Sequence, residues 1–167
     1  IGERIVAAAR EADGLLAVSE AMKRSMIDLG MPGDKIRVHH AGVDLDLFQP
    51  VERAQARRSL GVEGPLVVTI GTLIRRKGQW LAIEALRELP GVTLVLIGEG
   101  PDRAALERQA AGCRRVRFLG SIPQAETARW LAAADAMLLP TAREGLANVW
   151  LEALACGTPV VTSDVGG

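Results

Sequence analysis

The chain has 167 residues, 49% of them hydrophobic, with 20 basic and 20 acidic side chains and no net charge. That apolar content supports at least one packed α/β domain and excludes wholesale disorder. Zero net charge, 3% aromatic residues and no tyrosine exclude a nucleic-acid binder that works by bulk charge or by base stacking.

In chain order, short apolar runs alternate with helical patterns. Helix is expected over Glu3–Ala12, strand over Leu15–Val18, helix over Glu20–Leu29 and strand over Ile36–His40. The stretch Gly42–Pro50 (GVDLDLFQP) is non-periodic and ends in proline. Beyond it come helix Arg53–Leu60, strand Leu66–Ile70, helix Gln79–Leu89, strand Thr93–Ile97 and helix Asp102–Ala111. The series closes with strand Val116–Leu119, helix Ala125–Ala134, strand Ala136–Leu139, helix Leu146–Ala155 and strand Pro159–Thr162.

Most of these strands are continuous apolar runs, as in parallel strands buried on both faces. Strict strand–helix alternation predicts an α/β fold, a Rossmann-like parallel sheet with helices on both faces and right-handed crossovers. Two strands and two helices before the break cannot close a core by themselves. Residues 1–50 are therefore expected to be the tail of one partial Rossmann-like unit plus a hinge, and 51–167 a second domain, truncated at its C-terminus.

Several features predict no chemistry. Cys113 and Cys156 are too few for a disulfide scaffold, lack metal-ligand spacing and read as free thiols. Asp135 interrupts the apolar segment Trp130–Pro140, and no run is long enough for a spanning helix. His39 and His40 are adjacent on an expected strand and point to opposite faces, which predicts a structural role. Asp44 and Asp46 imitate a metal-binding DxD but lie within the non-periodic stretch Gly42–Pro50.

Three strand ends carry candidate chemistry, because ligands of such sheets bind at the carboxyl ends of the strands. Gly71–Gly78 (GTLIRRKG) places Arg75, Arg76 and Lys77 on one turn between glycines, suited to a phosphate or diphosphate. It does not match the GxxxxGK[ST] phosphate loop. Gly98–Pro101 (GEGP) permits close backbone approach and a good helix start, but no GxGxxG follows any strand. Glu144–Glu152 (EGLANVWLE) spaces two carboxylates eight residues apart, a rise of ~12 Å along a helix. Each carboxylate can accept a pair of hydroxyl hydrogen bonds, while the N–H groups of Gly145, Leu146 and Ala147 would face phosphates between them.

Together, GVD, GTLIRRKG, LVLIGEGP, VRFLG and ADAMLLPTAREGLANVWLEALACGTPVVTSDVGG resemble the group 1 glycosyltransferases, a retaining family built from two facing Rossmann-like domains, the GT-B fold. The resemblance runs over nearly the whole chain and is most specific in EGLANVWLEALACGTPVV, which is similar to the family's Glu-x7-Glu signature. It implies that residues 51–167 bind a nucleotide-sugar donor and that 1–50 close the acceptor domain, most of which would precede Ile1. It implies catalytic roles for Lys77, at the diphosphate, and Glu144, at the hydroxyls of the transferred sugar. Donor contacts are implied for Gly71, Arg75, Arg76, Lys77, Gly145, Leu146, Ala147 and Glu152, the last at the ribose. Phe118, Leu119 and Gly120 fall where the family seats the base.

Thr72 departs from the pattern: the family often has arginine there, and Arg75 or Arg76 is the expected substitute. The resemblance further implies a cytoplasmic enzyme, peripheral membrane association left open, with no cofactor or metal and no nucleic-acid partner. Its acceptor would be a glycan, lipid or small molecule, met through the rest of the first domain. Two rivals remain open at this point: a sugar-nucleotide epimerase of the same fold, and an inactive nucleotide-sugar-binding module.

Overall fold

A computed structural model describes residues 2–165. The chain divides into two compact units, one of residues 2–42 with 144–147 and 165, the other of residues 43–143 with 148–164.

The smaller unit holds α1 (Gly2–Glu11), β1 (Leu15–Ala17), α2 (Glu20–Asp28) and β2 (Ile36–Val38), with β1 and β2 paired in parallel. Ser19 starts α2 by accepting the Met22 N–H at 3.1 Å. Lys35 donates to the carbonyls of Arg10 and Ala12 at 2.8 and 2.9 Å, neutralising the end of α1. Its buried apolar side chains within 2–42 are only Ala9, Ala17 and Ile36. Both expected strands end early, so His39 and His40 follow β2. His39 N–H donates to the Ala17 carbonyl, and His40 Nδ1 donates to that of Val18.

The larger unit holds α3 (Arg53–Leu60), β3 (Leu66–Ile70), α4 (Gln79–Ala85), β4 (Thr93–Ile97) and α5 (Arg103–Gln109). It continues with β5 (Val116–Gly120), α6 (Gln124–Ala133), β6 (Ala136–Leu139), α7 (Asn148–Ala155) and β7 (Val160–Thr162). The five strands form one parallel sheet in the order β5-β4-β3-β6-β7. Leu94 and Leu96 of β4 pack with Ala82, Ile83 and Leu106 of α4 and α5. Val95 and Ile97 pack with Ala56, Trp130 and Ala133 of α3 and α6 on the opposite face. Both faces of the strand are thus dry, which is why its sequence runs apolar without alternation.

The expected helix 79–89 stops being α-helical at Leu86, and one 3-10 turn, Leu86–Glu88, finishes it. Pro90 is the cause: it drives Leu89 out of the helical region, to φ −119° and ψ 79°. A larger difference concerns α7, which begins at Asn148 instead of Leu146.

The expected hinge 42–50 does not stay outside the larger unit, whose first residue is Val43. Asp44 Oδ1 accepts the N–H groups of Asp46 and Leu47 at 3.0 and 3.2 Å, so the DxD look-alike is an Asx turn. Phe48 is buried, and a Cβ on Gly157 would lie 3.8 Å from Pro50, which ties the stretch to the end of α7.

Asp135 stands just before β6. Its Oδ2 accepts from Arg57 Nη2 at 2.6 Å and from the Leu66 N–H at 2.8 Å, so one carboxylate joins α3 to the amino ends of β3 and β6. Asp135→Ala is expected to cost about 1–3 kcal/mol, because it strands a buried amide as well as an arginine. Arg53→Ala, which removes only the exposed 3.4 Å pair to the same residue, should lie within about 1 kcal/mol of the parent. Urea denaturation of both variants checks the contrast.

Candidate functional site

In the larger unit, β3 and β6 are neighbours whose following helices go to opposite faces of the sheet. Between their carboxyl ends lies the topological switch point, where sheets of this kind leave a crevice. The loop after β3, Gly71–Gly78, and the residues after β6, Pro140–Arg143, meet there.

Arg75–Lys77 form a single 3-10 turn, closed by Gly78 at φ 74°. The Arg76 carbonyl accepts from the Ala142 N–H at 2.8 Å and from Thr141 Oγ1 at 3.1 Å. Arg76 Nη1 donates to the Arg143 carbonyl at 2.8 Å. A Cβ on Gly78 would overlap the Pro140 carbonyl oxygen. Inside the loop, Gln79, 1% exposed, donates its amide to the Thr72 carbonyl at 3.0 Å.

The loop after β4 is joined to the other side of this turn. Gly71 N–H donates to Ile97 O, Leu73 N–H to Glu99 O and Asp102 N–H to Leu73 O, at 2.9, 2.9 and 3.0 Å. A Cβ on Gly98 would overlap the Gly71 carbonyl, and one on Gly100 would lie 2.6 Å from the Leu73 nitrogen. Three loops are therefore fused backbone to backbone at the carboxyl edge, with glycine at the closest approaches, 78, 98 and 100.

On this layer the sequence-expected residues take different places. Gly71 and half-buried Lys77 belong to it, and Arg76 lies across to the β6 loop. Arg75 turns towards α4, with its guanidinium carbon 5.5 Å from the centre of the Trp80 ring. Phe118 and Leu119 pack towards opposite cores, Phe118 beneath Arg103 at 6.0 Å, so that side chains expected at the base face inward. Arg103 is itself held between Glu99 and Glu107.

Glu152 is half-buried on α7, and its carboxylate makes no hydrogen bond or ion pair among the described residues. Burial raises its pKa above the ordinary carboxylate value. One turn on, burial and then the Glu152 charge push the Cys156 thiol up to about 11, so it is neutral at physiological pH. The charged form of Glu152 is the one that burial penalises. Its contribution to stability is present below the unfolded carboxyl pKa of about 4.3 and lost as pH rises through the raised folded value. Glu152→Gln should therefore melt higher than the parent at pH 7 without ligand, and the difference should vanish near about pH 4. Thermal melts across pH check this.

Residues 144–147 cluster with the smaller unit although they connect β6 to α7 in sequence. A Cβ on Gly145 would lie 3.4 Å from the Met22 methyl and 3.9 Å from Val18. Since α7 starts at Asn148, Gly145, Leu146 and Ala147 precede the helix instead of opening it. The helical rise expected between Glu144 and Glu152 applies only from Asn148 onward.

Sequence reasoning missed two supports of the turn. Thr141, 0% exposed, had one local signal, a hydroxyl directly after a strand-ending proline. Gln79 had none, because a polar residue opening a helix is ordinarily solvated. Among the described residues no cluster of three or more His, Cys, Asp or Glu could hold a metal ion. Nor is any helix among them long and apolar enough to cross a membrane.

A family model described as "Glycosyl transferases group 1" matches residues 64–167. Another, described as "Glycosyltransferase Family 4", matches residues 2–47. D-inositol 3-phosphate glycosyltransferase of Mycobacterium tuberculosis (strain ATCC 25618 / H37Rv) is 36% identical over 169 residues, which cover 94% of this chain and 35% of that protein. Among solved structures, Anabaena Alr3699/HepE in complex with UDP and glucose superposes with a TM-score of 0.89 at 28% identity, covering 99% of this chain and 48% of that one. Sucrose-phosphate synthase (tll1590) from Thermosynechococcus elongatus also reaches 0.89, at 30% identity, over 99% of this chain and 44% of that one. The chain thus spans about a third of the curated relative and just under half of each solved chain.

Proposed function

Because the chain belongs to the group 1 glycosyltransferases, we propose that the larger unit binds a nucleoside-diphosphate sugar, whose sugar the whole protein transfers to an acceptor with retention. The observation that carries the donor reading is the basic turn fused to the β6 loop at the switch point, with an unpartnered, half-buried carboxylate on the helix that follows. That HepE was solved with UDP and glucose supports the same donor class.

In this reading Lys77 and Arg76 neutralise the diphosphate, and Gly71 lets it approach the backbone. Glu152 takes the two ribose hydroxyls, which would give its half-buried carboxylate the hydrogen bonds it lacks. The N–H groups of Gly145, Leu146 and Ala147 line the sugar and phosphates, and Glu144 receives the sugar hydroxyls. Phe118 and Leu119, with their side chains in the cores, meet the base through their backbone. Stabilisation of the charge that develops on the departing diphosphate is the main catalytic term, and it comes from these cations and amides without a metal. The acceptor, a glycan, lipid or small molecule, is met through parts of the protein outside residues 1–167. We therefore expect this chain alone to bind donor without turnover.

The two glutamates separate under titration calorimetry. Glu152→Ala should weaken UDP and UDP-glucose alike, by about ten- to a hundred-fold. Glu144→Ala should weaken only UDP-glucose, because bare UDP carries no sugar hydroxyl for it to hold. Equal losses for both ligands in Glu144→Ala would reverse the assigned orientation, and no loss in either variant would remove the donor reading.

A further inference from the structure

A cavity of about 300 Å³ lies between the 3-10 turn, α4 and α5, away from the β3–β6 crevice. Ile74 and Leu106 give it an apolar floor, and Arg75, Trp80, Asp102 and Gln109 stand around it. The polar groups of this wall are largely uncommitted. Arg75 stacks on Trp80 but makes no hydrogen bond or ion pair among the described residues. Asp102 opens α5, yet its side chain does not cap the helix. Gln109 uses its amide N–H on the Trp80 carbonyl at 2.9 Å, which leaves its amide oxygen to accept.

We propose that this cavity is a second small-molecule site, separate from the donor crevice, that takes a phosphorylated monosaccharide or polyol. A phosphate matches the open guanidinium of Arg75, which presents several donors in a fixed plane. Hydroxyl groups match the Asp102 carboxylate and the Gln109 amide, and the carbon skeleton matches Ile74, Leu106 and the indole edge. Size sets the class: ligand pockets run from about 300 to 1,000 Å³, so this one suits a single ring and not a nucleotide. The site extends beyond the donor reading, since Arg75 is the one residue of its lining among the donor contacts that the resemblance implies.

The test is titration calorimetry on the intact protein with glucose 1-phosphate, inorganic phosphate and glucose, each with and without saturating UDP. Glucose 1-phosphate should bind in the presence of UDP, and inorganic phosphate should bind more weakly. Asp102→Asn and Gln109→Leu should each weaken glucose 1-phosphate by about tenfold while leaving UDP affinity unchanged. Both residues are half-buried, and unchanged melting temperatures would show that the variants fold. The proposal is overturned if no heat appears up to about 10 mM. It is also overturned if UDP displaces the sugar phosphate, or if inorganic phosphate binds as tightly. UDP binding is read in the same experiment, so failure of the donor reading shows as lost UDP heat and leaves this result standing.

Discussion

Gly78→Ala is expected to lower the melting temperature by about 6–12 °C. Two costs add. At φ 74° an L-residue carries about 1–2 kcal/mol of backbone strain. The new methyl also meets main chain, since the Pro140 carbonyl carbon would lie 2.8 Å away and its oxygen closer still. A flexible side chain would swing aside, but here the turn and the β6 loop must part, which strains both hydrogen bonds to the Arg76 carbonyl. We expect about 3 kcal/mol in all. Gly112→Ala is the control: its φ is 79°, and a Cβ there meets nothing within 4 Å, so it reports the backbone cost alone. Thermal melts of the two variants should differ by the steric part. Equal losses would mean that the turn does not press on the β6 loop.

Lys77→Ala should weaken UDP by about ten- to a hundred-fold, the 1.5–3 kcal/mol typical of a hydrogen bond to a charged group. Lys77 shares its 3-10 turn with Arg76, whose carbonyl is held by Ala142 and Thr141, so the ammonium is delivered from a fixed base. Little ordering entropy is lost on binding, and the charge acts almost undiluted. Raising salt should shrink the difference between variant and parent, as it does for any exposed charge on a phosphate. An unchanged affinity in calorimetry at low salt would place Lys77 away from the diphosphate.

How much was legible in the sequence depends on the range of the forces involved. The strands Leu66–Ile70, Thr93–Ile97 and Ala136–Leu139 have the bounds that the apolar runs predict, because burial on both faces leaves an unbroken local signature. The start of α7 was misjudged for the opposite reason. Glu144–Ala147 has a composition compatible with helix, but its neighbours are Val18 and Met22, over a hundred residues earlier in the chain. The grip of Asp135 on Arg57 was equally invisible across 78 residues, although the lone acid in an apolar segment marked the place. For Glu152, the local segment Glu152–Gly157 (EALACG) holds no basic residue. The fold adds that no described residue from elsewhere supplies one. The basic turn was identified by its charge, but its division was not: Arg75 and Arg76 are adjacent and serve different surroundings.

The turn after β3 is held almost wholly by atoms that every amino acid has. Its anchors are the carbonyl of Arg76, the carbonyl and amide of Leu73 and the bare backbone of Gly71, Gly78, Gly98 and Gly100. Mutation at 72 or 75 therefore changes which charges the loop displays without redrawing its path. The frame can therefore stay constant while its ionic lettering is rewritten one residue at a time.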